Sequence, residues 1–315
     1  MIQKKLTFLF VFCVAGEITR HDTWLFTLQP NCDVTGWSSN CGQWEEITSS
    51  GPMGRYFHAA AKIKSSNEIV LYGGFGNKNM WGSSQWYFTT PSSPNPREYG
   101  KPYLSDGFLG DTWVLKCDAP VSPSSCSWRE IQRPTGTEQP SKRCMHAMAS
   151  FGNGIVMHGG FDGGNVLGDT WIFSMNGNYN WSPLDNSAIA TSERPMGRIL
   201  HQITGMGGQK LLLFGGQTST VTQEVYPKDT WIFYRQESVT ECGNKPECFT
   251  WKKLDVNGPD PRARHAMFFI DDNVIMYGGK IQQIMTGAPV QMVANDVWKF
   301  NIGEKIRIKF FYVFH

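Results

Sequence analysis

The sequence lacks the features that would assign it to several common classes of protein. It has no segment with a sustained helical period, no heptad repeat and no run of basic residues. Its 29 basic and 27 acidic side chains leave a formal net charge of only +2. A chain without a strongly positive patch has little electrostatic attraction for nucleic acid or for an anionic membrane. We therefore expect no nucleic-acid partner and no membrane insertion.

The abundant residues favour short strands joined by tight turns. The chain of 315 residues contains 33 glycines and 12 tryptophans. Glycine supplies turns, whereas aromatic side chains are enriched in strands. No apolar run in the sequence, the ten-residue run near the N-terminus included, is long enough to span a bilayer. The composition predicts an all-β protein with one large domain or two ordinary ones.

One short pattern recurs five times along the chain. The copies are HDTWLF from His21, GDTWVL from Gly110, GDTWIF from Gly168, KDTWIF from Lys228 and NDVWKF from Asn295. Each of the last four copies follows an apolar run that ends in two glycines: EIVLYGG, GIVMHGG, KLLLFGG and NVIMYGG. Runs of four apolar residues predict strands that are buried on both faces. The repetition predicts an array of similar structural units.

Two further strands complete each unit. A strand that opens with Arg-x-x-His precedes each apolar run, and a strand with a lone tryptophan follows most of the Asp-Thr-Trp copies. The Arg-x-x-His pairs are Arg55 and His58, Arg143 and His146, Arg198 and His201, and Arg262 and His265. Four antiparallel strands joined by hairpins form one blade of a β-propeller.

These four ordered motifs resemble the kelch repeat over roughly residues 20–301. The resemblance implies an all-β, kelch-type β-propeller, in which four-stranded antiparallel blades surround a central channel. We expect the repeated tryptophans to pack between neighbouring blades, because no single blade has a core of its own. These residues are Trp24, Trp113, Trp171, Trp231 and Trp298. We expect the repeated arginines to bind loop carbonyls between blades; they are Arg55, Arg143, Arg198 and Arg262.

The number of units is unusual for such a ring. Four nearly complete units follow the last two strands of a fifth, from Asp22 to Ile47, and the fourth unit ends at NDVWKFN. We assign residues 17–301 to the propeller and residues 302–315 to a C-terminal tail or a substitute outer strand. The alternatives are a ring of about five blades and a fragment of a longer gene product. We favour the fragment, because an unclosed ring exposes sheet edges.

The N-terminus has the pattern of a secretion signal. A short basic start, MIQKK, precedes the apolar run LTFLFVFCVA and the small residues Val14, Ala15 and Gly16. This pattern predicts a signal peptide over residues 1–16, and therefore a secreted or extracellular protein. The alternatives are a leading strand and a wrongly assigned first exon.

Six of the cysteines form close pairs in the sequence. Each pair lies between an Asp-Thr-Trp copy and the next lone tryptophan, and the unit without such a pair has the shortest interval. We predict the disulfides Cys32–Cys41, Cys117–Cys126 and Cys242–Cys248, each closing a long hairpin loop. Zinc is the alternative, but there is no CxxC sequence or nearby histidine to support it. Cys144 has no local mate and is predicted to be a buried thiol.

The histidines give no indication of catalysis. Four of them hold the same position in successive units, whereas an active site needs different groups that converge at one place. His158 stands where the other units have Tyr72, Phe214 and Tyr277, so we expect it to replace an aromatic ring. Galactose oxidase and plant nitrile-specifier proteins have kelch-type propellers with metal sites. The non-repeated histidines here are too few, and no loop carboxylates cluster, so we expect no catalytic residue, cofactor or metal.

The loop from the diglycine to Asp-Thr-Trp differs most between units. It is FDGGNVLG in the second unit but runs from residue 75 to residue 110 in the first. Such a long loop is usually functional or disordered, and its aromatic content argues against disorder. Aromatic side chains beside an arginine are typical of binding hot spots. We predict that a ligand contacts Trp81, Trp86, Tyr87, Arg97 and Tyr99; alternatively, some of these side chains cap the blade.

The combination of leader, paired cysteines and GDTW-type strands resembles the extracellular kelch propellers of the attractin and multiple-EGF-domain type. None of the EGF or CUB modules of those proteins is present. The resemblance implies a non-enzymatic extracellular module for adhesion or receptor contact, with a protein or glycan ligand. The alternatives are an intracellular kelch adaptor and a secreted copper oxidase similar to galactose oxidase.

Overall fold

The structure is a computed structural model, and it describes most of the repeated region. The described residues are 8–10, 22–28, 42–76, 107–132, 135–175, 179–184, 191–218, 224–236, 248–285 and 288–301. Among them, no helix has the length and apolar character needed to cross a membrane.

The strands form six antiparallel sheets, which we group along the chain into blades I to V, with two of the sheets in blade V. Blade I contains β1 (Phe8–Phe10), β2 (Trp24–Leu28) and β3 (Gly42–Glu46). Blade II contains β4 (Ala59–Lys62), β5 (Glu68–Phe75), β6 (Phe108–Cys117) and β7 (Cys126–Ile131). Blade III contains β8 (Ala147–Phe151), β9 (Gly154–His158), β10 (Thr170–Ser174) and β11 (Asn180–Pro183). Blade IV contains β12 (Gln202–Gly205), β13 (Lys210–Phe214), β14 (Thr230–Arg235) and β15 (Phe249–Leu254).

Blade V is less complete among the described residues. The short strand β16 (Arg262–Ala263) comes first, then β17 (Ala266–Ile270) and β18 (Asn273–Tyr277). A hairpin of β19 (Lys280–Met285) and β20 (Ala288–Val293) follows and pairs with β16, and β21 (Val297–Asn301) is the third strand of the blade. Two single-turn 3₁₀ helices, Pro123–Ser125 and Thr191–Glu193, are the described helical segments.

The order of strands in blades II, III and IV confirms the four-strand unit. Each of these sheets pairs its first strand with the second, the second with the third and the third with the fourth. The innermost strands lie side by side, with β4 beside β8, β8 beside β12 and β12 beside β17. The fold is therefore an all-β propeller of four-stranded antiparallel blades.

Strand β1 lies inside the segment predicted to be a signal peptide. Its backbone pairs antiparallel with β2, with Phe10 opposite Trp24. The same register places Met157 opposite Trp171 in blade III. β1 thus has the position of a second strand, which agrees with the alternative of a leading strand.

The core lies between the blades rather than within them. Trp171 is buried in a cluster that joins Tyr72 of blade II to Met157 of blade III, and Trp231 is buried in the next cluster, between blades III and IV. Trp113 is only partly buried, against the smaller blade I. The expected position of these tryptophans between blades is therefore confirmed, although Trp113 is less enclosed than the other two.

The lone tryptophans of the outer strands also join blades. Their indole N–H groups donate to the threonine of the Asp-Thr-Trp copy in the preceding blade: Trp128 to Thr23 at 3.1 Å, Trp181 to Thr112 at 3.0 Å and Trp251 to Thr170 at 3.0 Å. Because donor and acceptor are both buried, each bond also satisfies a polar group that water cannot reach.

One predicted disulfide lies within the described residues. Cys117 and Cys126 are bonded and close the hairpin between β6 and β7. Cys144 is buried and free, as predicted. Cys32, Cys41 and Cys242 lie outside the described residues, so the other two pairings remain predictions.

Candidate functional site

Blades II to V contain the same network of arginine, aspartate and tryptophan. The Arg of Arg-x-x-His makes two hydrogen bonds to the Asp of Asp-Thr-Trp and one to the first carbonyl of the diglycine. The Arg–Asp pairs are Arg55–Asp111, Arg143–Asp169, Arg198–Asp229 and Arg262–Asp296. The corresponding carbonyls belong to Gly73, Gly159, Gly215 and Gly278. Each aspartate also accepts the indole N–H of the tryptophan two residues later.

The arginines also make the contact with loop carbonyls between blades that the sequence led us to expect. The Nε of each one donates to the carbonyl two residues earlier, in the loop that leads from one blade to the next, as Arg198 does to Met196 at 3.1 Å. Their terminal nitrogens bind partners in their own blade. Burial alone would raise the pKa of Asp229, but the hydrogen bonds and charge of Arg198, with the Trp231 N–H, hold it below the usual value. These side chains therefore make hydrogen bonds within the fold and are not available to a ligand.

Backbone hydrogen bonds join successive blades at two repeated places. In blades II, III and IV the second glycine of the diglycine donates to the carbonyl of the next blade's arginine, as Gly74 does to Arg143 at 2.8 Å and Gly160 to Arg198 at 3.0 Å. In blades III, IV and V the third residue of Arg-x-x-His donates to the carbonyl of its equivalent in the preceding blade. These bonds run from Met145 to Phe57, from Leu200 to Met145 and from Arg264 to Leu200, at 2.9–3.0 Å.

The repeated histidines are buried packing groups. His146 packs edge-on against Tyr72, His201 against His158 and His265 against Phe214, with ring centroids 5.6–5.7 Å apart. Burial, reinforced by the charge of the nearby arginine, lowers the pKa of His146 and of His265 to about 3. These rings are therefore neutral near pH 7. His158 does take the place of an aromatic ring, as predicted. In the described part of the chain, no group of three or more potential metal ligands lies close together.

The loop face is the side of the propeller where second strands lead into third strands and one blade leads into the next. The long insertion of blade II leaves this face through a longer hairpin than the sequence indicated. β5 extends to Phe75 and β6 begins at Phe108, opposite it. Gly76 donates to the carbonyl of Gly107 at 2.9 Å, so the loop itself is confined to residues 77–106.

An aromatic cluster holds the base of this insertion. Phe75 packs edge-on against Phe108 with centroids 5.0 Å apart, and Phe108 contacts Phe161 of blade III at 5.8 Å. Tyr56 and the buried Cys144 complete the cluster. The base of the insertion is therefore fixed to both blades. The predicted contact residues Trp81, Trp86, Tyr87, Arg97 and Tyr99 all lie outside the described residues.

A second feature of the loop face lies on blade V. A cleft of about 500 Å³ is lined by Arg264, Gly279, Lys280, Gln291, Met292 and Val293. Val293 is 84% exposed. Lys280 donates to both carboxylate oxygens of Glu224 at 2.9 Å, and the Tyr226 hydroxyl donates to the same carboxylate. Burial would raise the pKa of Glu224, but these hydrogen bonds lower it.

The sequence did not lead us to predict this cleft. The segment KIQQIMTGAPVQMV between the diglycine and NDVW has a Gly-containing turn between two strand-like runs, which is a hairpin signal. The exposure of Arg264 could not be read from its motif, because Arg264 lies between Arg262 and His265 of Arg-x-x-His, and both of those residues are buried.

The blade order and the Arg–Asp–Trp network together define a β-propeller of the kelch type. The family model of the KLHDC2/KLHL20/DRC7 Kelch-repeats domain matches residues 11–279. The chain therefore belongs to the Kelch-repeat family.

Curated relatives agree with this assignment. Adagio protein 3 of Arabidopsis thaliana is 24% identical over 261 residues, which cover 81% of this chain and 35% of that protein. An F-box/kelch-repeat protein of the same organism is 28% identical over 213 residues, which cover 66% of this chain and 40% of that protein. The chain thus spans well under half the length of these relatives. Neither name supports the expected closeness to attractin-type propellers.

A solved structure supports the fold. The structure of YjhT aligns with a TM-score of 0.55 and 13% identity, covering 92% of this chain and 81% of that chain. At this identity the similarity bears on the fold alone.

Proposed function

We propose that this chain is a non-enzymatic protein-binding module that recognises its partner through the loop face. One observation carries the proposal. The repeated Arg, Asp and His side chains are occupied by contacts within and between blades, whereas the large departures from the repeat are on the loop face. These departures are the insertion at residues 77–106 and the hairpin of β19 and β20.

The described surface of this face suits a protein partner. Exposed apolar side chains, including Met196, Val225 and Val293, accompany the charged Arg264 and Lys280. Apolar contact area with an arginine among it is typical of protein interfaces. We favour a protein over a glycan because these exposed side chains are aliphatic rather than flat aromatic platforms.

The location of the protein is a separate part of the proposal. The apolar N-terminus and the Cys117–Cys126 disulfide favour secretion, because disulfides persist in oxidising compartments. The second candidate, an intracellular kelch adaptor, is favoured by a relative named as an F-box/kelch-repeat protein. Expression of the full chain with a C-terminal tag decides between them. Tagged protein in the medium that lacks residues 1–16 supports secretion, whereas cell-retained protein with its original N-terminus supports the adaptor.

The binding function is tested by a comparison of paired purifications. Three tagged proteins are purified in parallel from the same cell type, and the proteins that co-purify with each are quantified. They are the wild-type chain, the loop-face variant Val293→Asp and the opposite-face variant Lys116→Asp. We expect a set of proteins that is retained by wild type and Lys116→Asp and depleted with Val293→Asp. Proteins that are lost equally with both variants, or with neither, contradict recognition through this part of the face.

A further inference from the structure

The junction between blades III and IV differs from its two neighbours in the rings that it buries. At each of these junctions, the histidine of one blade packs edge-on against a ring of the preceding blade. That ring is Tyr72 between blades II and III and Phe214 between blades IV and V. Between blades III and IV it is His158, whose ring centroid lies 5.6 Å from that of His201. Of these three junctions, only this one therefore holds two imidazole rings in contact.

Both histidines of this junction are shielded from water. His158 has no solvent exposure, and His201 is 2% exposed. Trp251 of blade IV packs edge-on against His158, with ring centroids 5.3 Å apart. Within the described residues, neither ring nitrogen of His201 has a hydrogen-bond partner. A proton added to either ring would therefore place a charge where water cannot solvate it.

A chain of hydrogen bonds fixes the neutral form of His158. The indole N–H of Trp251 donates to the hydroxyl of Thr170 at 3.0 Å, and that hydroxyl lies 3.0 Å from Nδ1 of His158. An indole can only donate, so the Thr170 oxygen accepts from it and the hydroxyl proton is left for the histidine. Nδ1 is then an acceptor. Protonation of Nδ1 would remove this acceptor and leave the buried hydroxyl proton of Thr170 unpaired.

The charges around the pair also oppose protonation. Burial lowers the pKa of His158 to about 3, the charges of Arg198 and Arg143 add to this effect, and Asp169 opposes it. The arginines have this effect although each is paired with an aspartate. Burial also lowers the pKa of His201, and the next contribution comes from His158 itself. The other groups that lower the pKa of His201 are Arg198, His146 and His265.

Opening this junction exposes two histidines to protons, whereas opening either neighbour exposes one. A histidine that is neutral when buried favours the open state once the pH falls below its ordinary pKa of about 6.5. Between about pH 7.5 and pH 5, the equilibrium constant for opening rises about thirtyfold with one such histidine and about 900-fold with two. The closed state is therefore fully stable above the ordinary pKa, and the junctions differ only in acid.

We propose that the junction between blades III and IV is an acid-sensitive joint, which opens before its two neighbours as the pH falls below about 6.5. The contact between His158 and His201 is the sensitive element, and the hydrogen bonds from Trp251 through Thr170 hold it closed at neutral pH. This inference goes beyond the proposed function, because it depends neither on the partner nor on the location of the protein.

Hydrogen exchange of the full chain, measured at single-residue resolution, tests the proposal. Equivalent amides bridge the three junctions, since Gly74, Gly160 and Gly216 each donate to the carbonyl of the next blade's arginine. Exchange is measured at about pH 7.5 and pH 5, and the rates are corrected for the pH dependence of exchange in an unstructured peptide. We expect the opening constant at Gly160 to rise about thirtyfold more than at Gly74 or Gly216.

His158→Tyr is the matched variant, because Tyr72 and Tyr277 hold the same strand position in blades II and V. His158→Phe is the second variant, after Phe214 of blade IV. Circular dichroism at neutral pH checks that each variant folds. Both should reduce the acid-dependent rise at Gly160 to that of the other two amides. Equal rises at the three amides of the wild-type chain overturn the proposal without any variant, and so does a rise at Gly160 that persists in a folded variant.

Discussion

Arg198 and Asp229 are joined by two parallel hydrogen bonds, Nη1 to Oδ1 at 2.9 Å and Nη2 to Oδ2 at 2.8 Å. The arginine side chain is fully buried and the aspartate is 11% exposed. Arg198 also donates to the carbonyl of Gly215 at 3.0 Å, and Asp229 accepts the indole N–H of Trp231 at 2.6 Å. The pair therefore connects the start of the first strand of blade IV to its second and third strands. Removing either member leaves the other as an unpaired buried charge.

We expect Arg198→Ala to lower the free energy of unfolding by about 3–5 kcal/mol, the usual cost of breaking a buried ion pair. Urea denaturation at neutral pH measures the effect. The control is Lys116→Ala, which removes the ion pair between Lys116 and the exposed Asp118. That pair should contribute less than about 1 kcal/mol. Equal costs for the two variants would contradict the structural role of the network.

We expect Trp171→Ala to cost about 3–5 kcal/mol, because the variant leaves a cavity at the junction of blades II and III. Thermal unfolding followed by circular dichroism provides the measurement. Trp44→Ala is the matched control, since Trp44 is an exposed outer-strand tryptophan of blade I. An unchanged melting temperature for Trp171→Ala would mean that the repeat register is wrong.

We expect the protein to lose stability as the pH falls below about 6.5. Burial lowers the pKa of His58 to about 4 and that of His146 to about 3, with the neighbouring arginine charge adding to the effect. The unfolded chain therefore binds protons first as the pH falls, so stability is complete above the unfolded pKa and declines below it. At about pH 5 each such histidine should lower the free energy of unfolding by on the order of 2 kcal/mol relative to neutral pH.

Urea denaturation between about pH 7.5 and pH 5 measures this dependence. His201→Phe removes one titrating group but keeps a ring against His158, so its stability should depend less steeply on pH. A wild-type stability that does not change over this range would rule out the neutral, buried state of the histidines.

We expect peptide mapping under non-reducing conditions to find the pairs Cys32–Cys41, Cys117–Cys126 and Cys242–Cys248. Cys144 should remain a thiol and react with iodoacetamide only after unfolding, because burial raises its pKa to about 12. Alkylation with and without urea provides the comparison. Disulfides between different loops would contradict the predicted pairing, and rapid labelling of native Cys144 would contradict its burial.

We expect replacement of residues 77–106 by a short Gly/Ser turn to leave the fold intact and to weaken partner binding sharply. The paired Gly76 and Gly107 already bring the two ends together, so a tight connection can replace the loop. Circular dichroism checks the fold, and quantitative recovery of the proteins identified with wild-type chain checks binding. Unchanged recovery would exclude this loop as the recognition site and direct attention to the opposite face, which carries the cysteine loops.

The sequence was sufficient to predict the strands of a blade, because each blade is a local pattern that repeats along the chain. Asp-Thr-Trp, the diglycine and Arg-x-x-His each identify a strand, and their fixed order gives the sheet. The partner of each arginine was not predicted, since Arg55 and Asp111 are separated by an insertion and their pairing depends on the folded sheet. The cleft beside Arg264 was missed for a related reason. Its hairpin occurs once, so comparison between units gave no signal for it.

The bonds between Phe57, Met145, Leu200 and Arg264 involve only main-chain atoms. All four residues have positive φ, between 55° and 60°, although none is a glycine. Such a backbone excludes proline, which lacks the N–H and cannot take this φ, and disfavours β-branched side chains. Beyond that restriction, the side chains can vary without changing the bonds, and here they are aromatic, thioether, aliphatic and cationic. The innermost wall of the propeller can therefore acquire new surface chemistry by single substitutions while the connection between its blades stays the same.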